Sequence, residues 1–304
     1  MNYDEALQLI YKKAPFQQKK IAVFLKDKDA VFFEEADNFV RQYEEYLFKK
    51  GLNFEFAIDA YLNMCKDMII CQVRFMKTGK YPSDDQTTAF SEVYDSEEVM
   101  FGYMIGLGFS QFLWDSHYKM FEHLRSALCS AGETISSYLE VGPGHGLFLK
   151  SAVKILPPEC TFKALDISKT SIAITKEIIN LASHVENEKI QYITGNFLEY
   201  DSSSKFDFIV VGEVLEHVED PTRMLGKINE LLSPGGKAFI STCINCPMTD
   251  HVYHFETIPE LRKLLDNSGF EIESERVLPV ENLPFDEIMR RKITVNYSAV
   301  TTKK

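Results

Sequence analysis

The sequence is short of basic residues: 33 lysines and arginines stand against 45 aspartates and glutamates, a formal net charge of -12 over 304 residues. An acidic surface repels phosphate backbones, so nucleic acid is not expected as a partner. Cysteine is sparse, with six residues (65, 71, 129, 160, 243 and 246) scattered along the chain. That spacing reads as reduced thiols and excludes a disulfide framework. The first residues, Met1 to Lys13, carry Asp4 and Glu5 and lack an apolar core behind basic residues, so no secretory signal is read. There is no long hydrophobic run. The longest nearly uncharged stretch, Val99 to Trp114, is too short to span a bilayer and holds Gly102, Gly106 and Gly108. Together these absences lead us to expect a cytoplasmic protein with no membrane partner. Glycine (15) and proline (11) are too few for collagen or low-complexity sequence, and no internal repeat is visible.

What is present divides in two. Up to about Ala131 the pattern is helical. Ile21 to Phe24, Phe32-Phe33, Phe39-Val40 and Tyr43 to Phe48 recur at three-to-four residue spacing, and Gly51 marks a stop. The aromatic stripe of Phe32, Phe33, Phe39, Tyr43 and Phe48 is expected in the core. A second amphipathic run covers Phe54 to Met76, a turn-rich break covers Thr78 to Asp85, and one helical stretch is expected from Glu97 to Ser130. From Ile135 onward short apolar runs alternate with helical segments. Strands are expected at Ser136–Val141, Thr161–Asp166, Ile190–Thr194, Phe206–Gly212, Lys237–Thr242, Glu271–Leu278 and Ile293–Thr301. Helices are expected at Leu147–Leu156, Lys169–Ser183, Pro221–Leu232 and Ile258–Ser268. This predicts an α/β fold: a doubly wound, mostly parallel seven-stranded sheet with an antiparallel hairpin at its edge. The domain division expected is a helical unit over 1–131 and a sheet unit over 132–304.

The sharpest motif is Glu140-Val-Gly142-Pro-Gly144-His-Gly146, placed directly after a strand and before a helix. Glycines there let the backbone turn tightly and approach a ligand at a helix N-terminus. The dinucleotide fingerprint is Gly-x-Gly-x-x-Gly, whereas Leu147 falls where its third glycine belongs, so pyrophosphate binding is disfavoured. An acid at Glu140 suits a cation or an ammonium better than a phosphate.

The loop resembles motif I of the class I S-adenosylmethionine-dependent methyltransferases. Three further stretches resemble that family in order and spacing: Ala164-Leu-Asp166-Ile167-Ser168, Asp207 through Glu213 and His217 to Pro221, and Leu232-Ser-Pro-Gly235-Gly236-Lys. The resemblance covers roughly Ser136 to Thr301 and implies a Rossmann-like fold with S-adenosylmethionine as cofactor. It places Asp166 on the ribose hydroxyls, with Ile167 beside it. Gly142 and Gly144 would line the methionine portion and Glu140 would orient its amino-acid end. Asn196 and Phe197 would lie at the adenine, with Asn196 where the family often has an acid. Gly146 is assigned to packing as readily as to binding. Glu213 joins the cofactor set, and Tyr118, with Trp114 and His117, would close the pocket from the helical part.

Open parallel sheets bind ligands at the carboxyl ends of their strands, so the loops after the fourth and fifth strands should hold the methyl acceptor. If a helical turn begins at Glu213, His217 lies at i+4 on the same face. His217, His251 and His254 are the candidate general bases, which spacing alone does not rank. Cys243-x-x-Cys246 and His251-x-x-His254 invite a zinc reading. Wrapping one ion with all four needs a tight, unusual turn, so no metal is assigned. The expectation is methyl transfer to an oxygen, or to a nitrogen, of a small molecule. The rivals are an idle methyltransferase fold acting through a protein partner and a dinucleotide-dependent oxidoreductase. The helical part is a candidate homodimer surface.

Overall fold

The computed structural model describes residues 1–82, 96–181 and 189–304. Six helices come first: α1 Tyr3–Lys13, α2 Gln17–Leu25, α3 Ala30–Lys49, α4 Glu55–Thr78, α5 Glu97–Ser110 and α6 Asp115–Ala131. The α/β portion follows as β1 Ser137–Val141, α7 Leu147–Ile155, β2 Thr161–Asp166, α8 Lys169–Asn180, β3 Ile190–Thr194, β4 Phe206–Gly212 and α9 Pro221–Leu231. It ends with β5 Leu232–Ile244, α10 Ile258–Asn267, β6 Phe270–Pro279, α11 Phe285–Arg290 and β7 Val295–Lys303. The expected turn at Thr78 to Asp85 and the expected end of the helix at Ser183 fall partly outside the described residues. Among the described residues no helix is long and apolar enough to cross a membrane.

The seven strands form one sheet in the order β3-β2-β1-β4-β5-β7-β6. The first five are parallel, and β7 runs antiparallel to both β5 and β6. The central strand β4 shows why. Phe208, Ile209, Val210 and Val211 are all fully buried, the continuous apolar run of a parallel strand covered on both faces. Its one acid, Asp207, is spent on architecture. The carboxylate accepts from the Ser136 and Ser137 amides and from the hydroxyls of Ser136, Ser137 and Ser233, at 2.7 to 3.1 Å. It thereby clamps the lower ends of β1, β4 and β5. The Ser-Pro-Gly-Gly turn lies inside β5 as a bulge: Leu232 pairs with Phe206 and Lys237 with Phe208.

Three apolar clusters hold the layers together. One joins the underside of α9 and α10 to the sheet, and one packs Phe121, Leu124 and Leu128 of α6 with α7 on the other face. The third unites α1 to α5 and takes in Leu147 of α7 and Ile174 and Ile178 of α8, so the helical part shares a core with the α/β part. A polar tie reinforces it: Tyr46 Oη donates to Glu177 at 2.9 Å.

Two expectations are corrected. In α3 the buried face runs Phe32, Ala36, Phe39, Val40, Tyr43 and Leu47, while Phe33 (40 %) and Phe48 (79 %) point outward. Each sits one residue off the 3.6-residue face. The expected single helix from Glu97 to Ser130 is two, because Gln111 to Leu113 form a turn and Trp114 takes extended backbone (φ -120, ψ 126) before α6. No proline marks the break.

His123 bridges α6 to the sheet edge, with Nδ1 2.8 Å from Ser298 Oγ and Nε2 2.9 Å from Ser274 Oγ. Burial, with Arg276 nearby, pulls its pKa down to about 4. The unfolded chain therefore takes up a proton near 6.5 that the folded one refuses, and the contribution of His123 to stability is lost as pH falls from 6.5 toward 4. Urea unfolding of wild type and His123→Gln should show a stability gap that narrows on acidification from pH 7 to 5. A gap independent of pH would refute the assignment.

Candidate active site

Strand order reverses between β1 and β4, and the loops leaving these two strands touch. A Cβ added at Gly142 would stand 2.6 Å from Val214 Cγ2, and one at Gly144 would stand 3.2 Å from Met104 Sδ of α5. Gly142 and Gly144 hold left-handed φ angles of 68 and 51 degrees. The loop thus presents bare backbone between the β4 loop and the helical cover. Gly146 (φ 75) does something else. Its missing Cβ would lie 3.0 Å from the Thr175 Cα, so it lets the loop seat on α8, and Thr175 Oγ1 donates to the Gly144 carbonyl at 3.0 Å. Below the loop Glu140 is buried and accepts from Tyr138 Oη at 2.5 Å. Burial pushes its carboxyl up to about 8, against the pull of Tyr138 and the Leu149 amide.

Asp166 ends β2 at the cavity wall, with the Ser168 amide donating to Oδ1 at 2.8 Å. Burial raises its pKa to about 6, opposed by the amides of Ser168, Gly144 and Ile167. Ile167 beside it is 41 % exposed. After β3, Asn196 Oδ1 receives the Leu198 amide at 3.0 Å, so this side chain caps its own turn and presents its NH2 as donor. Phe197 is buried in the core and lines the cavity as well.

The loops after β4 and β5 supply the opposite wall. Glu213 takes left-handed backbone (φ 54) and the helical turn is a short 3-10 segment, Leu215–His217, so the expected i, i+4 face shared by Glu213 and His217 does not form. His217 Nδ1 instead stands 2.9 Å from the Asp250 carbonyl oxygen and 3.5 Å from Asp250 Oδ2. A carbonyl only accepts, so Nδ1 carries the proton and Nε2 is the basic nitrogen. His251 is buried and meets His217 edge-on, ring centroids 4.7 Å apart. His254 is drawn away: Nε2 bonds Asn245 Oδ1 at 2.8 Å and the ring packs on Phe75 and Tyr81, off the cavity. Glu216, which the spacing did not single out, is buried and accepts from Thr242 Oγ1 at 2.7 Å. Burial and the neighbouring Glu216 hold the Glu213 carboxyl well above the usual range.

The site residues expected from the sequence, except His254 and Gly146, line one cavity of about 2050 Å³. Ligand sites commonly enclose roughly 300–1,000 Å³, so this one has room for two molecules side by side. Its roof comes from the helical part: Met104 and Leu107 of α5, Trp114 from the turn, His117 and Tyr118 of α6. Trp114 Nε1 donates to Tyr61 Oη at 2.9 Å. Tyr118 is fixed by an edge contact with Phe32, centroids 4.8 Å apart. Burial pulls His117 down to about 3 and His145 down to about 4, so neither ring carries charge into the cavity at neutral pH. At the mouth Lys20 of α2 pairs with Glu281 at 3.0 Å.

Gly146→Ala should destabilise the fold by roughly 2–4 kcal/mol, combining left-handed strain with overpacking against α8. Gly226→Ala, in open space on α9, should be neutral or mildly stabilising. Urea midpoints of the two variants check this, and equal midpoints would exclude the packing role.

Comparison with known proteins agrees with this geometry. Residues 116–275, just over half of the chain, match the model of a methyltransferase domain. The chain is 26 % identical over 202 residues to a ubiquinone biosynthesis O-methyltransferase of Xanthomonas axonopodis pv. citri, covering 60 % of this chain and 81 % of the relative. It is 31 % identical over 123 residues to the mitochondrial ubiquinone biosynthesis O-methyltransferase of Schizosaccharomyces pombe, covering 40 % of this chain and 42 % of the relative. Among solved structures, the N-methyltransferase NodS of Bradyrhizobium japonicum in complex with S-adenosyl-L-homocysteine shares the fold, with a TM-score of 0.53 at 18 % identity over 69 % of this chain and 97 % of that one. A glycine loop at the switch point, an acid at the tip of β2 and a matched domain from α6 to β6 lead to one assignment: the chain belongs to the methyltransferase domain family, as a class I S-adenosylmethionine-dependent methyltransferase.

Proposed function

We propose that this enzyme transfers the methyl group of S-adenosylmethionine to an oxygen of a small molecule with a sizeable apolar body, and that His217 accepts the acceptor's proton. The observation that carries the reading is the single cavity in which the glycine loop and Asp166 face the β4 and β5 loops beneath an apolar helical roof. The sequence relatives are O-methyltransferases, which favours oxygen over nitrogen.

The residues suit the cofactor. Asp166 is a buried carboxylate with capacity for two hydroxyl donors, the exposed Ile167 offers an apolar face for a purine, and Asn196 offers an amide donor at the same end. Glu140 lies buried under the loop, where an ammonium group would favour its charged form. When bound, S-adenosylmethionine supplies an already activated methyl group, so the protein's task is mainly alignment in a dry site. His217, with Nδ1 committed to the Asp250 carbonyl, presents Nε2 to take the hydroxyl proton. Met104, Leu107 and Trp114 exclude water and cover the acceptor's apolar part.

Two measurements test this. The ribose role requires ionised Asp166, so calorimetric affinity for S-adenosylmethionine should fall as pH drops below about 6, by up to about tenfold per pH unit. Asp166→Asn should bind weakly and lose that dependence. An unchanged affinity from pH 7 to 5 would remove Asp166 from the site. His217→Ala should lower turnover roughly 10²–10⁴-fold without altering cofactor affinity, and the loss should shrink at high pH, where the acceptor hydroxyl ionises unaided. The acceptor is found by incubating the protein with methyl-labelled cofactor and a metabolite extract and identifying labelled products by mass spectrometry. Near-full activity of His217→Ala would leave alignment as the whole mechanism.

A further inference from the structure

The acidity of the chain is not evenly spread. Residues 12–29, which include α2, hold six lysines and two aspartates, and residues 66–80, the second half of α4, hold four basic residues and one aspartate. Lys13, Lys20 and Lys28 are matched by Asp59, Glu281 and Asp115. Among the described residues no carboxylate pairs with Lys19, Lys26, Arg74 or Lys77, all of them exposed. In a chain of 45 acidic and 33 basic residues this is a local reversal of sign.

The same two helices turn apolar side chains to solvent. Phe16, at the N-terminal end of α2, and Val23 are 71 % and 65 % exposed and share one face, with Lys19 and Lys20 between them. On α4 Ile69, Ile70, Val73 and Met76 make a second exposed stripe. The core is already served by Ala57, Ile58, Tyr61 and Phe75 of that helix, so burial within this chain does not account for the stripe. Phe16, Val23, Ile69 and Met76 also line the cavity, as do Lys19 and Lys20. The exposed side chains therefore border an opening into the active site. Leu283, on the connection from β6 to β7, continues that border.

Apolar side chains set among lysines on a helix face suit the lipid–water interface, where anionic headgroups supply the counter-charge. Other occupants fit less well. A two-fold contact with a second copy would set each patch on its own image, lysine against lysine. Single-stranded nucleic acid is held by stacking on aromatic rings, and of these exposed side chains on α2 and α4 only Phe16 is aromatic. We propose that the outward faces of α2 and of the second half of α4 form a docking surface for an anionic lipid bilayer. Phe16, Val23 and the α4 stripe enter the interface while Lys19, Lys26, Arg74 and Lys77 meet the headgroups. Docked in this way, the cavity opens toward the bilayer, and an acceptor with an apolar body reaches the site without crossing water. That last consequence rests on the methyl-transfer reading; the docking itself does not.

The test uses the full chain without cofactor or acceptor, so its outcome is separate from that of the methyl-transfer experiments. The protein is sedimented with vesicles of phosphatidylcholine alone and of equal parts phosphatidylcholine and phosphatidylglycerol. It should pellet with the mixed vesicles, stay in solution with the neutral ones, and be released as salt is raised. Lys19→Gln and Lys26→Gln should each lower partitioning about fivefold, and Val23→Asp by about tenfold or more. Phe48→Asp, which alters an equally exposed ring on α3, should change nothing. Phe16→Trp reports insertion directly: its emission should be quenched by bromine-labelled lipid in the mixed vesicles, against the weaker response of wild type with Trp114 alone. Circular dichroism and S-adenosylmethionine calorimetry show that each variant is folded. The proposal is overturned if wild type ignores the mixed vesicles, or if Val23→Asp binds them as wild type does. It is equally overturned if Phe48→Asp loses as much as Val23→Asp, or if single-stranded RNA is retained while vesicles are not.

Discussion

The arrangement depends on carboxylate charge held where water is scarce. Glu140, Asp166, Glu216 and Asp250 are each less than a tenth exposed, and all four line the same cavity with Glu213. An isolated ionised carboxylate in an apolar interior is expensive, so such groups are protonated, hydrogen-bonded or matched to a cation. Each answer is visible here. Glu140 is tied to Tyr138 and drifts toward its neutral form; Asp166 leans on backbone amides; Glu216 takes the Thr242 hydroxyl. What remains uncompensated lies on the side of the β4 and β5 loops. A cationic cofactor and an acidic cavity are a natural match, and the overall acidity of the chain continues the same bias outward.

Charge of this kind is useful only if the cavity is closed, and the helical part does the closing. Its core does not stop at its own boundary: Leu147, Ile174 and Ile178 from the α/β layers belong to it. The roof is therefore attached by packing as well as by the surface pair of Lys20 and Glu281, and an exposed ion pair of that sort is worth little by itself. The break at Gln111 to Trp114 matters more. A continuous helix would have carried Trp114 and His117 past the cavity, whereas the turn redirects α6 onto the sheet and leaves both side chains at the roof.

The α/β half was legible because its signals are local. Alternating apolar runs, the glycine loop, the acid after β2 and the short β6–β7 connection each depend on a few adjacent residues, and the strands at Thr161, Ile190 and Phe206 fall where the pattern puts them. The helical half was legible only in kind. Phe33 and Phe48 look like core by composition, yet one position of helical phase turns each to solvent. At the site the difficulty was convergence. Spacing could not separate His217 from His254, since their fates are decided by Asp250 in one case and by Asn245 with Phe75 and Tyr81 in the other. Glu216 carried no signal of its own, being one acid among 45 acidic residues until Thr242 and Cys243 meet it.

The placement of charge also bears on rate. Methyl transfer from a sulfonium to an ionised oxygen annihilates charge on the way to products, and a low dielectric favours such a step. A carboxylate held against the sulfonium would stabilise the starting cation more than the transition state and slow the reaction. On the methyl-transfer reading, the acids should therefore serve the parts of the cofactor that do not change charge: Asp166 the ribose, Glu140 the ammonium. Glu213 and Glu216 stand on the opposite wall, where burial holds the Glu213 carboxyl toward its neutral form and Thr242 donates to Glu216, so little bare negative charge is left there.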